Sequence, residues 1–582
     1  MTKTISVDYG AEAFIELLNA NNVDCIFLNP GTDTVPVQEA IAKFRVKGKR
    51  TPKVILCLHE SMAMEAAHGY FMVTGRPQVV LVHVDVGLQN VGGALHNAQR
   101  GHIGVILCAG RAPWLLEEAK RGVRLDIMWL QERLNQASVV QDYVKWYYEL
   151  HSSRNIHQVL QRAFQVTSSE PYGPVYLTLP FEILMERIDS ITIPDVSRHS
   201  PPLTPQIDGR LLDQVAAMLL EARSPLILSG ESGRRPESVA PLVSLAEALG
   251  APVVTSRFRV NFPSSNPMSA GFNPNPYFQD ADLVLVLDHD VPYIPTQARP
   301  KADAKIITID IDPIKPTIPM WTFPADILLQ ADSSKVLTAL AQRVREMMTP
   351  EQRARCEARY QAFAELHRKM KADWQQLAEK GAQSRPISPD WLCHCIDEVL
   401  DDDDILVTEP VTNAPSILRQ ISREKPGTFY TCRGTSLGWG LGAALGAKLA
   451  RPEKTVVAIV GNGSFIYGCP TPSLWAASTY QAPFLTVILN NGQYHAPKEA
   501  LRIAYGTESY SVSSNQWVGI DIEPSPDYAL IARSCGGYGK RVEEPSEISG
   551  ALKEALDMVK RGQPAVLDVI IEKDPEASSF KL

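Results

Sequence analysis

The 582-residue sequence has no run approaching the roughly 18 consecutive apolar residues that a membrane-crossing helix needs. Its first residues, Met1 to Asp8, hold no apolar signal core. These absences predict a soluble, intracellular, cytoplasmic protein with no membrane partner. A basic excess is also missing: the formal net charge is −8, so no general positive field exists to gather phosphate backbones. No nucleic-acid partner is expected. Cysteine is scarce and odd in number, nine in all, with several inside apolar runs such as Val54-Ile55-Leu56-Cys57. They read as buried thiols in a reducing compartment. Cys393-His394-Cys395 falls in a helix-like stretch without a second ligand pair at zinc spacing, and reads as core. The last residues, Ser579-Phe580-Lys581-Leu582, resemble the peroxisomal Ser-Lys-Leu address, but Phe580 occupies the small-residue position.

What is present is ordinary globular composition, 45% apolar and 21% charged, in a chain too long for one core. Helical spacing at Ala11, Phe14, Ile15, Leu17 and Leu18 is followed by an apolar run, Cys25 to Leu28, that ends in Asn29-Pro30-Gly31. Strand-like runs recur at Val54 to Leu58, Val79 to Val84 and Val105 to Cys108. A Pro- and Ser-rich connector near Ser200 to Pro205 marks a boundary. Beyond it come runs at Pro225 to Gly230, Ala251 to Thr255, Leu283 to Leu287 and Ile306 to Ile311. A charge-rich stretch, Pro350 to Lys380, reads as a solvated helix. The last series runs through Ile405 to Thr408, Thr455 to Val460, Phe484 to Leu489 and Ala565 to Ile571. Alternation of this kind predicts an α/β protein of three doubly wound parallel-sheet domains, at 1–190, 205–345 and 385–575, with a helical linker at 346–384 and a tail at 576–582.

The densest chemical signal is a buried strand, Val456 to Val460, opening into Gly461-Asn462-Gly463-Ser464. Glycines let a backbone approach an anion, although a Gly-rich turn alone is weak. A second apolar strand ends in Asn490-Asn491-Gly492-Gln493. The stretch between them suffices for one helix and one strand, which places both motifs at carboxyl ends of neighbouring strands, where open sheets bind ligands. Oxygens of Asn462, Asn491 and the Gln493 carbonyl, with diphosphate and water, suit the octahedron that magnesium demands.

These motifs resemble the thiamine-diphosphate enzyme superfamily of pyruvate decarboxylase, acetolactate synthase and benzoylformate decarboxylase, whose signature is Gly-Asp-Gly followed by Asn-Asn. His59-Glu60 with Ala66-Ala67-His68-Gly69-Tyr70 resembles its glutamate segment. The resemblance implies a pyrimidine-binding unit, a middle unit and a diphosphate-binding unit, with thiamine diphosphate and Mg2+ as cofactors and no FAD expected. Glu60 takes the place of the carboxyl that sets the imino tautomer and so generates the C2 ylid. In the family that glutamate and the diphosphate site come from different subunits, which implies a homodimer or homotetramer. Val411, Thr412, Thr435, Gly461, Gly463, Ser464, Asn491 and Tyr494 carry over as cofactor contacts, and Leu437 as the apolar prop that bends the cofactor.

The activity implied is a lyase or carboligase on a small-molecule carbonyl substrate, a 2-oxo acid or relative, through an enamine. His83 falls where benzoylformate decarboxylase has a proton-moving histidine; a buried, structurally satisfied histidine is the alternative. Thr32 replaces that enzyme's substrate-binding serine. Gln89 and His495 are further substrate candidates, and His289 stands near the place of a second histidine that is not reproduced. Asn462 departs from the family's aspartate and removes a charge from the metal site. Two alternatives follow: an acetolactate-synthase-like carboligase, and a catalytically silent binding or regulatory relative.

Overall fold

The computed structural model describes residues 2–115 and 126–574. The expected tail, with Phe580-Lys581-Leu582, lies outside the described residues. Three parallel sheets form the molecule. In spatial order the first holds Lys53–Leu56, Cys25–Leu28, Gln78–Val82, Val105–Arg111, Val175–Pro180 and Trp146–Glu149. Its inner strands are buried on both faces because crossover helices cover them, which is why they read as unbroken apolar runs rather than alternating ones. A two-stranded antiparallel ribbon, Lys3–Ser6 with Ser190–Ile193, ties the start of this unit to its end.

The second sheet runs Val253–Thr255, Pro225–Ser229, Leu283–Leu287, Lys305–Asp310 and Ile327–Gln330. The third runs Phe429–Thr431, Ile405–Glu409, Val456–Gly461, Leu485–Asn490, Ala565–Ile570 and Tyr538–Val542. Between them lies the helix Pro350–Gly381, opened by a capping box of Thr349 and Gln352 and buried at Cys356, His367, Ala378 and Gly381. All nine cysteines are free, and Cys393 and Cys395 are buried in the helix Pro389–Val399. No helix among the described residues is long and apolar enough to cross a membrane.

Several edge strands carry no sequence signal. Ile327–Gln330 alternates half-buried and exposed, Trp146–Glu149 is nowhere fully buried, and Phe429–Thr431 has three residues. One expected strand is shorter than its apolar run: Val79 to Val84 ends at Val82, and Val84, at φ 29°, begins a helix to Asn90.

The first and third units share an interior. The helix Glu60–Thr74 packs on the helix Trp439–Ala450, and the contact needs glycine: a Cβ on Gly446 would lie 2.8 Å from Tyr70 N, and one on Gly69 would overlap the Ala443 carbonyl. Met62, Ala66 and Tyr70 join Trp439, Leu441 and Ala444 in one buried apolar cluster. Burial of such side chains, about 1.5–3 kcal/mol each, fixes the two sheets against one another.

Candidate active site

The turn after Val456–Gly461 lies beside the end of Leu485–Asn490, since Gly461 pairs with Leu489 in register. A Cβ added to Gly461 would meet open space. One on Gly463 would lie 2.5 Å from the Tyr494 ring, so the turn, Tyr494 and the Asn490-Asn491 segment form one cluster. Asn462 is buried, its Nδ2 makes no hydrogen bond, and its side chain lies beside the Tyr528 hydroxyl. Ser464 Oγ donates to the Glu409 carbonyl at 3.4 Å, which joins the turn to the neighbouring strand end. Asn490 is anchored by Asp568 at 2.8 Å, and Asn491 Oδ1 accepts from the Gln493 amide at 3.2 Å.

Past the end of that neighbouring strand, Val411 joins Thr435 and Leu437, which follow the strand Phe429–Thr431, in lining a single cavity with Glu409, Phe429 and Cys432. Val411 (φ 32°) and Thr435 (φ 61°) are left-handed without being glycine, and strain of this kind concentrates at functional sites. Thr412 is buried, as is Asn413, whose Oδ1 is without a hydrogen bond. The buried Asn462 Nδ2, a donor with no hydrogen bond, a turn that opens into space and a strained loop fit the polar diphosphate group; Asn413 Oδ1, an acceptor, suits a donor or a cation instead. No group of three His, Cys, Asp or Glu side chains that could hold a metal exists among the described residues. Asn462 and Asn491 bring neutral side-chain oxygens to this cluster, and Asp568 binds Asn490.

Sequence reasoning missed the Glu409 side chain. It accepts from Gly438 N and Gly440 N, both at 2.7 Å, at the start of the helix Trp439–Ala450. Burial raises its pKa to about 7. Glu65 is raised as well, by burial and then by Glu409. The signal was an acid at the end of an apolar strand with a glycine-rich helix start downstream.

Glu60, at the first turn of its helix, is half-buried and accepts from Asn90 Nδ2 at 3.0 Å; a Cβ on Gly87 would sit 3.4 Å from its Oε1. His83 lies in the same N-terminal group. Its Nδ1 contacts Asp33 Oδ1 closely, its Nε2 is 3.3 Å from Gln131 Nε2, and its pKa is raised, first by the Asp33 hydrogen bond. Thr32 and Gln89 are exposed, the latter donating to Asp85 at 3.1 Å. His289 lies in the middle unit, where burial lowers its pKa to about 4. His495 is buried among Gln493 (3.1 Å), Asp574 (3.3 Å) and Glu499 (3.7 Å), and the Gln493 side chain is committed to the same group.

Fold and site define a three-domain α/β protein built to hold a ligand at the carboxyl edge of its last sheet. The chain belongs to the thiamine-pyrophosphate-dependent enzyme superfamily. Residues 8–139 match the family described as thiamine pyrophosphate enzyme, N-terminal TPP binding domain. Residues 212–340 match its central domain and 411–569 its C-terminal TPP binding domain. Benzoylformate decarboxylase of Pseudomonas aeruginosa is 28% identical over 94% of this chain and 96% of its own. Sulfoacetaldehyde acetyltransferase of Rhodobacter capsulatus is 26% identical over 97% and 94%. The fold matches the thiamine diphosphate-dependent 4-hydroxybenzoylformate decarboxylase of Rhodococcus jostii RHA1 with a TM-score of 0.77 at 23% identity, covering 97% of this chain and 99% of that one.

Proposed function

We propose that the chain is a decarboxylase or carboligase that uses thiamine diphosphate with magnesium to act on a 2-oxo acid or related carbonyl compound, as a homodimer or homotetramer. The observation that carries this reading is the open Gly461 turn beside the strained cavity of Val411, Thr435 and Leu437. When bound, the cofactor supplies a carbon nucleophile for the substrate carbonyl and accepts the electron pair left as carbon dioxide departs.

Val411, Thr412, Gly463 and Ser464 hold the diphosphate. Asn462, Asn491 and the Gln493 carbonyl offer neutral oxygens to magnesium, so the diphosphate itself balances the dication's charge. Leu437 supports the cofactor from the cavity wall. Glu60 holds a proton at the pyrimidine ring, and His83 moves one at the substrate, with Thr32 and Gln89 at the rim. Self-association is supported by apolar surface on both halves. Leu58 is 50% exposed beside Glu60, and Tyr467 is 60% exposed just past the Gly461 turn. A second copy covering both would bring Glu60 of one chain to the turn of the other.

Calorimetry with thiamine diphosphate and magnesium tests the reading, and saturable binding is expected. No binding at millimolar cofactor would sink it in favour of a silent relative, the outcome that the missing charge at Asn462 favours. A cofactor-loaded screen of 2-oxo acids, starting from benzoylformate, then separates decarboxylation from ligation by following carbon dioxide and ligation products together.

A further inference from the structure

Asp33 is 0% exposed, and no step above uses it. Both of its carboxylate oxygens are occupied: Oδ1 by His83 Nδ1 and Oδ2 by the Val84 N–H at 3.2 Å. The backbone makes room for this arrangement at two points. A Cβ on Gly110 would overlap Asp33 Oδ2, and one on Gly31 would overlap His83 Nδ1. Val84 is β-branched at φ 29°, a strained conformation that the Asp33 hydrogen bond restrains.

The opposite edge of the ring is different. The His83 side chain is 20% exposed, with Nε2 only 3.3 Å from the Gln131 amide. Asp33, Glu60 and Asp85 are the acids that face the ring, and Arg133 binds Asp85 at 2.6 Å.

We propose that Asp33 is a positioning residue that holds His83 in the tautomer protonated on Nδ1, leaving Nε2 as the nitrogen that exchanges a proton with the substrate. The identity of that substrate rests on the proposed function; the Asp33–His83 pair does not. In the proton step the Nε2–H bond of the imidazolium breaks as a hydrogen–substrate bond forms, the other proton stays on Nδ1 hydrogen-bonded to Asp33, and solvent returns a proton to Nε2. A carboxylate is required because two donors converge on it. An asparagine has a single acceptor oxygen, so either His83 Nδ1–H or Val84 N–H would lose its partner.

The test uses cofactor-free protein labelled with 15N-histidine, the His83 signals being assigned by comparison with His83→Gln. Neutral His83 is expected to carry its proton on Nδ1. In Asp33→Asn the titration midpoint of His83 should fall by about 1 to 3 pH units, and the pH profile of the loaded enzyme should move with it. Adding Asp33→Asn to His83→Gln should reduce kcat no further. The inference is overturned if neutral wild-type His83 is protonated on Nε2, or if it titrates at the same pH in Asp33→Asn. Should Asp33→Asn not fold, the wild-type tautomer decides alone. These signals need no cofactor, so failure to bind thiamine diphosphate sinks the proposed function and not this assignment.

Discussion

Replacing Asn462 by aspartate puts one negative charge at a residue that is 1% exposed, beside the Tyr528 hydroxyl and with no cation to pair it. Without cofactor the carboxylate is buried and unpaired, at a cost of about 3 kcal/mol. In a domain of this size that corresponds to a melting temperature lower by about 6 to 12 °C. Burial raises the carboxyl's folded pKa, so the cost is absent below its unfolded value of about 4 and complete above the raised one. With magnesium and thiamine diphosphate the sign reverses. A unit charge about 4 Å from another at an effective dielectric near 20 is worth about 4 kcal/mol, which less the burial cost leaves a net of about 1 kcal/mol, roughly fivefold tighter binding. Melting curves with and without cofactor, beside calorimetry, read both halves. Asn462→Asp with unchanged cofactor affinity would refute the claim that this side chain faces the cation.

Glu60→Gln is expected to keep cofactor affinity and lose deuterium exchange at the cofactor's C2 position, followed by NMR; undiminished exchange would remove Glu60 from the chemistry. Glu409 has a folded pKa of about 7 against an ordinary 4.5, so wild-type stability should fall by about 3 kcal/mol as pH rises from 4.5 through 7. Glu409→Gln should flatten that decline in urea unfolding, and parallel slopes would contradict the burial argument. Gly463→Ala places a Cβ 2.5 Å from the Tyr494 ring, and calorimetry should show cofactor affinity lower by about tenfold, roughly 1.4 kcal/mol.

The parallel sheets were legible because strands buried on both faces leave continuous apolar runs, as at Leu283–Leu287 and Leu485–Asn490. Edge strands such as Trp146–Glu149 were not, since half their surface stays wet and the run breaks. At the candidate site, glycine spacing and the paired asparagines pointed to two strand ends that lie side by side in the sheet. Asp33 escaped although its neighbour Thr32 was singled out. One residue along the chain the side chain turns from an exposed rim into the interior, and no local pattern says which carboxylate will find a histidine 50 positions away. Val84 was read as strand because its composition is that of a strand. Its left-handed backbone goes with a tertiary contact, the Val84 N–H donating to Asp33.

The glycine-lined meeting of Glu60–Thr74 with Trp439–Ala450 also sets a timetable for synthesis. The first unit completes its own strands with Ser190–Ile193, yet one face of the Glu60–Thr74 helix stays uncovered until Ala450 has left the ribosome. At about 10 residues per second that interval is roughly half a minute, during which Met62, Ala66 and Tyr70 face water or a chaperone. The newborn N-terminal domain thus keeps one apolar helix face open until the last domain arrives to cover it.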